Sequence, residues 1–406
     1  MEHLFFYLSA LVLIIKLVLE ITRFEGKISP LAIYIFCYFY FCFGPYMANM
    51  LLLPIYSGIK VDYLFQSSFA FFLAIATLSL FPANVVAKLD LGFSLVIKEP
   101  ILLRQLAMFF MSVPIILLFM FAFARIGFAP LDKVQRIQSI GIAHYVILTL
   151  WPLFLFCYLT VSPKIDMSRK TLFKFSAIVF LYFSYCYYMG ERDFALLIVP
   201  LYFWLYKDKT IALWKILLGG SLGALGFTMM SAGRSSEFDG GGLESFLNQG
   251  SNLMVTSNLL SWLDNGMLIQ LGESYFSGFV NMMSLGAIKL TTPLSIWFSR
   301  QYSSAANDGA YGFSIEGEAL LNFGFAGIPV LFSLIAIFMA WNYHGFLKNK
   351  PFGILMTYFN LFYFVYAIRG ESLILFKAFI YCCVIFFASI LISQRGRMYF
   401  KVSRDS

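Results

Sequence analysis

A chain of 406 residues that is 60% hydrophobic, 19% aromatic and only 12% charged, with a mean hydropathy of +0.80, is not a string of water-soluble domains. Its apolar runs are continuous rather than alternating, which excludes a β-barrel, and about 20 such residues span the hydrocarbon core of a bilayer. The net charge of +8 follows from where the loops fall, and gives no reason to invoke nucleic acid.

The N-terminal "MEHLFFYLSALVLII" lacks a basic n-region, so it reads as an uncleaved first helix near 4–22. Lys16 and Glu20 in that helix are spaced i,i+4 and read as a self-neutralising structural pair. Further helices are expected near 30–53, 63–85, 104–128, 142–162, 173–189, 194–206, 211–231, 319–341, 352–368 and 372–393. The expectation is therefore an all-α polytopic membrane protein of about eleven spans, a single transmembrane domain over 1–406. The six cysteines all lie in apolar runs without CxxC spacing and read as packing residues. His3, His144 and His344 are far apart in sequence, which argues against a His-built metal site.

An odd number of spans puts the termini on opposite sides. The tail "SQRGRMYFKVSRDS" carries Arg395, Arg397, Lys401 and Arg404, so the positive-inside rule places it in the cytoplasm. Eighteen of the 29 basic residues then fall to the inner side and nine to the outer, with Lys16 and Lys377 assigned to the membrane interior. The long segment 232–315 becomes an outer loop. It holds the Gly-rich "GRSSEFDGGG", read as a mobile loop or lid, and the amphipathic pieces "SNLLSWL" and "SYFSGFVNMMSLGAI". The last is too short to span and suits an interfacial or re-entrant helix.

Charge clusters at the tips of greasy hairpins: "MGERDF" at 189–194, "IRGESL" at 368–373 and, more loosely, "SAGRSSEFD" at 231–239. Six of the nine outer basic residues are Arg, whose planar fork grips phosphate oxygens bidentately. Arg192, Arg234, Arg300 and Arg369 are thus candidates for an outer diphosphate-binding site, with Glu191, Asp193 and Glu371 placed to hold them. For any single Arg, snorkelling to headgroups serves equally well; the set as a whole favours function.

Glu316 and Glu318 lie in "YGFSIEGEALLNFGFAGIPVLF", at the outer mouth of the expected ninth helix. A carboxylate there can act as general base towards a hydroxyl, and Asn322, one turn after Glu318, extends the polar lining. The bland alternative is that acids at a helix N-terminus complement its dipole. Two residues apart on a helix, the pair face different sides, so Glu318 is the better catalytic candidate, and Glu316 is the second, with holding an arginine as its alternative role.

This layout resembles the Wzy-type O-antigen (oligosaccharide repeat unit) polymerases of Gram-negative inner membranes. The resemblance rests on the eleven helices, the long outer loop in the C-terminal half, "GFSIEGEALLNFGFAGI" leading into the next helix, and the Arg-bearing turn "GERDFALLIVP". It implies a metal-independent, cofactor-free glycosyltransferase, with a fold akin to lipid-dependent membrane glycosyltransferases. The growing glycan on undecaprenyl diphosphate would pass to a lipid-linked repeat unit on the periplasmic side. The implied partners are undecaprenyl diphosphate-linked oligosaccharide as donor and acceptor, membrane lipid, and a chain-length regulator protein. Two alternatives stand beside it. An O-antigen ligase would call for a functional outer-loop His, and none falls in 145–343. A lipid-linked oligosaccharide flippase or transporter would favour repeated halves, and no internal repeat is visible.

Overall fold

The computed structural model describes residues 3–23, 28–51, 53, 58–81, 93–95, 97, 100–129, 131, 133–162, 168–191, 193–206, 247, 251–284, 288, 290–302, 312–393 and 400–402. Among these the chain is helical, apart from a short antiparallel pairing of Phe93–Leu95 with Phe400–Val402. We number the helices α1 Leu4–Arg23, α2 Pro30–Met50, α3 Leu64–Leu80, α4 Pro100–Ile126, α5 Lys133–Ile140, α6 Ile142–Val161, α7 Arg169–Tyr188 and α8 Ile198–Tyr206. After these come α9 Ser251–Asp264, α10 Glu273–Met283, α11 Leu294–Tyr302, α12 Ile315–Phe323, α13 Gly327–Leu347, α14 Pro351–Ala367 and α15 Ser372–Ser393.

Six stretches among the described residues are long and apolar enough to cross a membrane: Pro30–Met50, Val61–Leu80, Pro100–Ile126, Ile142–Val161, Ile315–Leu347 and Ser372–Ile392. The protein is therefore a polytopic helical membrane protein. The expected helix at 211–231 lies outside the described residues, and each of the others overlaps a described helix.

Local chemistry explains where helices start. Ser29 caps α2 by accepting the Ala32 N–H, with Pro30 in the first turn where no donor is needed. Ser168 caps α7 and Ser314 caps α12 in the same way. Pro45, Pro114 and Pro152 sit inside α2, α4 and α6, as neighbouring helices in a membrane bundle permit. Lys16 and Glu20 do pair, at 3.3 Å, and Glu20 also accepts the Ser29 N–H at 3.1 Å, tying α1 to the start of α2.

The helices pack in a bundle in which α4 lies on α6, α13 on α14, and α1 and α13 on α3. Outward faces stay apolar: Leu11, Ile14 and Val18 of α1, Leu117 and Met120 of α4, and Val384 and Ile392 of α15 are exposed, as a lipid-facing surface requires. Cys42, Cys157, Cys186 and Cys382 are buried in the packing. Lys377, expected from sequence to be buried like Lys16, is exposed on α15 instead. Its long stem lets the ammonium reach the interface from the second turn of the helix.

Two features depart from the expected outline. The ninth helix is broken: α12 ends at Gly324, whose φ of +62° few other residues adopt, and α13 starts at Gly327, where a Cβ would lie 2.5 Å from Ala319 O. And α9, part of the expected outer loop, is embedded. Its residues 252–260 are all buried against α2, α3 and α12.

Candidate functional site

The two acids of α12 diverge as their spacing requires. Glu318 faces α10 and α15. Its Oε1 accepts the hydroxyls of Ser274 (3.0 Å) and Ser372 (2.8 Å), and its Oε2 accepts the Ser372 backbone N–H at 2.6 Å. Asn322 completes the group, donating Nδ2 to Ser274 Oγ at 2.7 Å while its Oδ1 accepts the Gly272 N–H at 3.0 Å. One carboxylate thus fastens the start of α15 to α10 and α12, at the positive end of the α15 dipole.

Glu316 faces the opposite side, towards α9. Its Oε1 accepts from Asn252 Nδ2 at 3.0 Å and from Thr256 Oγ1 at 3.4 Å. Among the described residues no cation pairs with Glu316, and Arg192 and Arg234 lie outside them. Asn252 also donates to Ile368 O at 2.8 Å.

That bond ties the pair to the turn bearing Arg369. Arg369 is half-buried, its guanidinium 5.7 Å from the centre of the Phe41 ring. Glu371 turns towards α11, its Oε2 accepting the Leu294 N–H at 2.6 Å. Burial pushes the Glu371 carboxyl up to about 7, against the pull of that N–H and helped by the nearby Glu318 charge. Arg300 sits exposed in the last turn of α11. Arg192 and Arg234 lie outside the described residues, as does the Asp193 side chain.

Beside Ser372 opens a groove of 610 Å³ between α10, α13, α14 and α15. Phe279, Leu334, Phe338, Phe359, Leu375 and Phe379 line it, and Ser372 and Tyr275 are the hydroxyl-bearing residues of the lining. The groove is therefore apolar along its length and reaches the Glu318 cluster at one point.

Sequence reading missed a second cluster. His144, fully buried, meets Tyr185 Oη through Nδ1 at 2.8 Å and Glu191 Oε1 through Nε2 at 3.2 Å; Glu191 Oε2 accepts from Lys133 Nζ at 2.8 Å. An ionised carboxylate only accepts, so Nε2 carries a proton and, in the neutral ring, Nδ1 takes the tyrosine's. Burial works against the Glu191 charge, but the His144 hydrogen bond and Lys133 outweigh it and hold the carboxyl below its usual range. The sequence had offered Glu191 as a partner for arginine, but nothing linked it to His144, 47 positions upstream. The 3₁₀ turn Asp193–Leu197 after this cluster packs on Val365–Ala367, so the "GERDF" and "IRGESL" turns lie on neighbouring parts of the fold.

Fold and site together define a polytopic helical membrane protein with buried carboxylates beside an apolar groove. No family model matches the chain, and no curated protein or solved structure matches it either.

Proposed function

We propose that the protein is a polymerase of lipid-linked oligosaccharide repeat units, acting on the periplasmic face of a bacterial inner membrane. The observation that carries this reading is the 610 Å³ apolar groove that reaches Ser372, the residue bonded to the Glu318 carboxylate. A long isoprenoid chain fits such a groove, with its diphosphate and sugar towards Ser372.

In this reading eleven spans put segment 232–315 outside, with its α9 portion folded back into the bundle. Glu318 takes the proton of the acceptor hydroxyl as that oxygen attacks the anomeric carbon. The bond from that carbon to the diphosphate breaks, and undecaprenyl diphosphate leaves with its electron pair. Ser274 and Ser372 keep the carboxylate oriented, and Arg369, Arg192, Arg234 and Arg300 supply cations for the leaving diphosphate. Glu316, on the other side of α12, takes no part in the transfer. No cofactor is invoked.

The test is elongation of a radiolabelled lipid-linked repeat unit by the purified full-length protein in lipid nanodiscs. Glycan ladders with release of undecaprenyl diphosphate are expected. Passage of the intact lipid across the bilayer without new glycosidic bonds would instead establish a flippase.

A further inference from the structure

Where α2, α9 and α12 meet, four buried oxygens have no hydrogen-bond partner among the described residues: Glu316 Oε2, Asn252 Oδ1 and the hydroxyls of Tyr34 and Tyr38. Each of the four side chains is 0% exposed. They are also neighbours. Asn252 donates Nδ2 to Glu316 Oε1 at 3.0 Å, which puts the two side chains in direct contact. Tyr34 and Tyr38, one turn apart on α2, have ring centres 6.4 Å apart, and both hydroxyls lie within electrostatic reach of Glu316. The Tyr38 hydroxyl comes close to Glu316 and to Cys42 without closing a well-formed hydrogen bond.

Each such oxygen, removed from water and left unsatisfied, costs about 1–3 kcal/mol, and an unpaired buried charge costs more. Thr256 and Asn252 satisfy one oxygen of Glu316, but both are neutral, and no basic side chain pairs with it among the described residues. In its ionised form Glu316 brings one negative charge to a set of hard oxygen donors. That combination suits a hard cation. With one carboxylate, a monovalent ion brings the site to neutrality, whereas a divalent ion would leave a net charge in a low-dielectric interior.

We propose that Glu316, Asn252, Tyr34 and Tyr38 form an internal binding site for one monovalent metal cation, between α2, α9 and α12. The cation balances the carboxylate and gives each orphaned oxygen a partner. It joins three segments far apart in sequence, so its binding stabilises the fold by mass action.

The test is thermal unfolding of the purified full-length protein in detergent at pH 8, followed by intrinsic fluorescence. Choline chloride is replaced stepwise by NaCl or KCl at constant ionic strength. A saturable rise in midpoint with Na⁺ or K⁺ is expected, and the more effective of the two identifies the better-fitting ion. Glu316→Gln removes the charge while keeping the shape, so it should lose the metal response and melt in choline no lower than the wild type. Tyr34→Phe and Tyr38→Phe keep the charge and remove one oxygen each, and should raise the half-saturating concentration about tenfold. A wild-type midpoint equal in all three salts overturns the site, including the case where only pH separates wild type from Glu316→Gln. So does an undiminished metal response in Glu316→Gln. If that variant fails to fold, unchanged half-saturation in both tyrosine variants is equally decisive against it.

Discussion

Ser372 grips Glu318 twice, with its backbone N–H at 2.6 Å on one carboxylate oxygen and its hydroxyl at 2.8 Å on the other. This couples the first residue of α15 to the first turn of α12 through a charge-assisted pair buried between helices. The same carboxylate serves as an anchor for the fold and as the proposed base, and variants can separate the two roles.

Glu318→Gln should abolish glycan elongation and lower stability by about 2 kcal/mol, since the amide cannot accept from Ser372 at both atoms. Ser372→Ala loses only the hydroxyl contact, about 1 kcal/mol, and should keep measurable elongation. Thermal unfolding and the radiolabelled assay are read side by side. Full elongation by Glu318→Gln removes it from the chemistry and leaves it as an anchor only.

Arg369→Ala and Arg192→Ala should each cost about 3 kcal/mol in the transition state, on the order of a hundredfold in rate, with membrane insertion unchanged. Arg192→Lys should recover part of this, because a point charge replaces a fork. Ladders of normal length from both alanine variants would show these arginines to be membrane anchors.

The groove gives a steric test. Leu375→Trp fills part of the 610 Å³ from a position three residues after Ser372 on α15. It should raise KM for the lipid-linked substrate at least about tenfold, the size of effect that loss of a good apolar contact gives. An unchanged KM for a long-chain substrate means the isoprenoid lies elsewhere.

Glu371 and Glu191 predict opposite pH behaviour. The Glu371 carboxyl rises from an ordinary 4.5 to about 7, chiefly through burial, so folding penalises its ionised form. That penalty is absent below 4.5 and complete above 7, so Glu371→Gln should stabilise the protein most at pH 8 and lose that advantage on acidification. Glu191 is held below 4.5, so its stabilising contribution is present above that value and fades as pH falls through the lowered one. Glu191→Gln should therefore destabilise at pH 7 and converge on the wild type in acid. Unfolding midpoints measured from pH 4 to pH 8 that show the same trend for both variants would contradict these assignments.

The sequence by itself determined the class of protein, because the length of an apolar run is a local property and a bilayer reads it directly. It also settled the Lys16–Glu20 pair, a contact between neighbours on one helix, and the divergence of Glu316 and Glu318, which follows from helical geometry. What needed the tertiary structure was every judgement that turned on an opposite number. The "SNLMVTSNLL" run of α9 looks like a surface helix until Asn252 is seen to meet Glu316 and Ile368 O, and Asn258 to meet Gly58 O. Likewise His144 and Glu191 are 47 positions apart, and nothing in either neighbourhood announces the other. A polar side chain in an apolar run faces water or a buried partner depending on which helix packs against it, and that choice is made by the whole bundle.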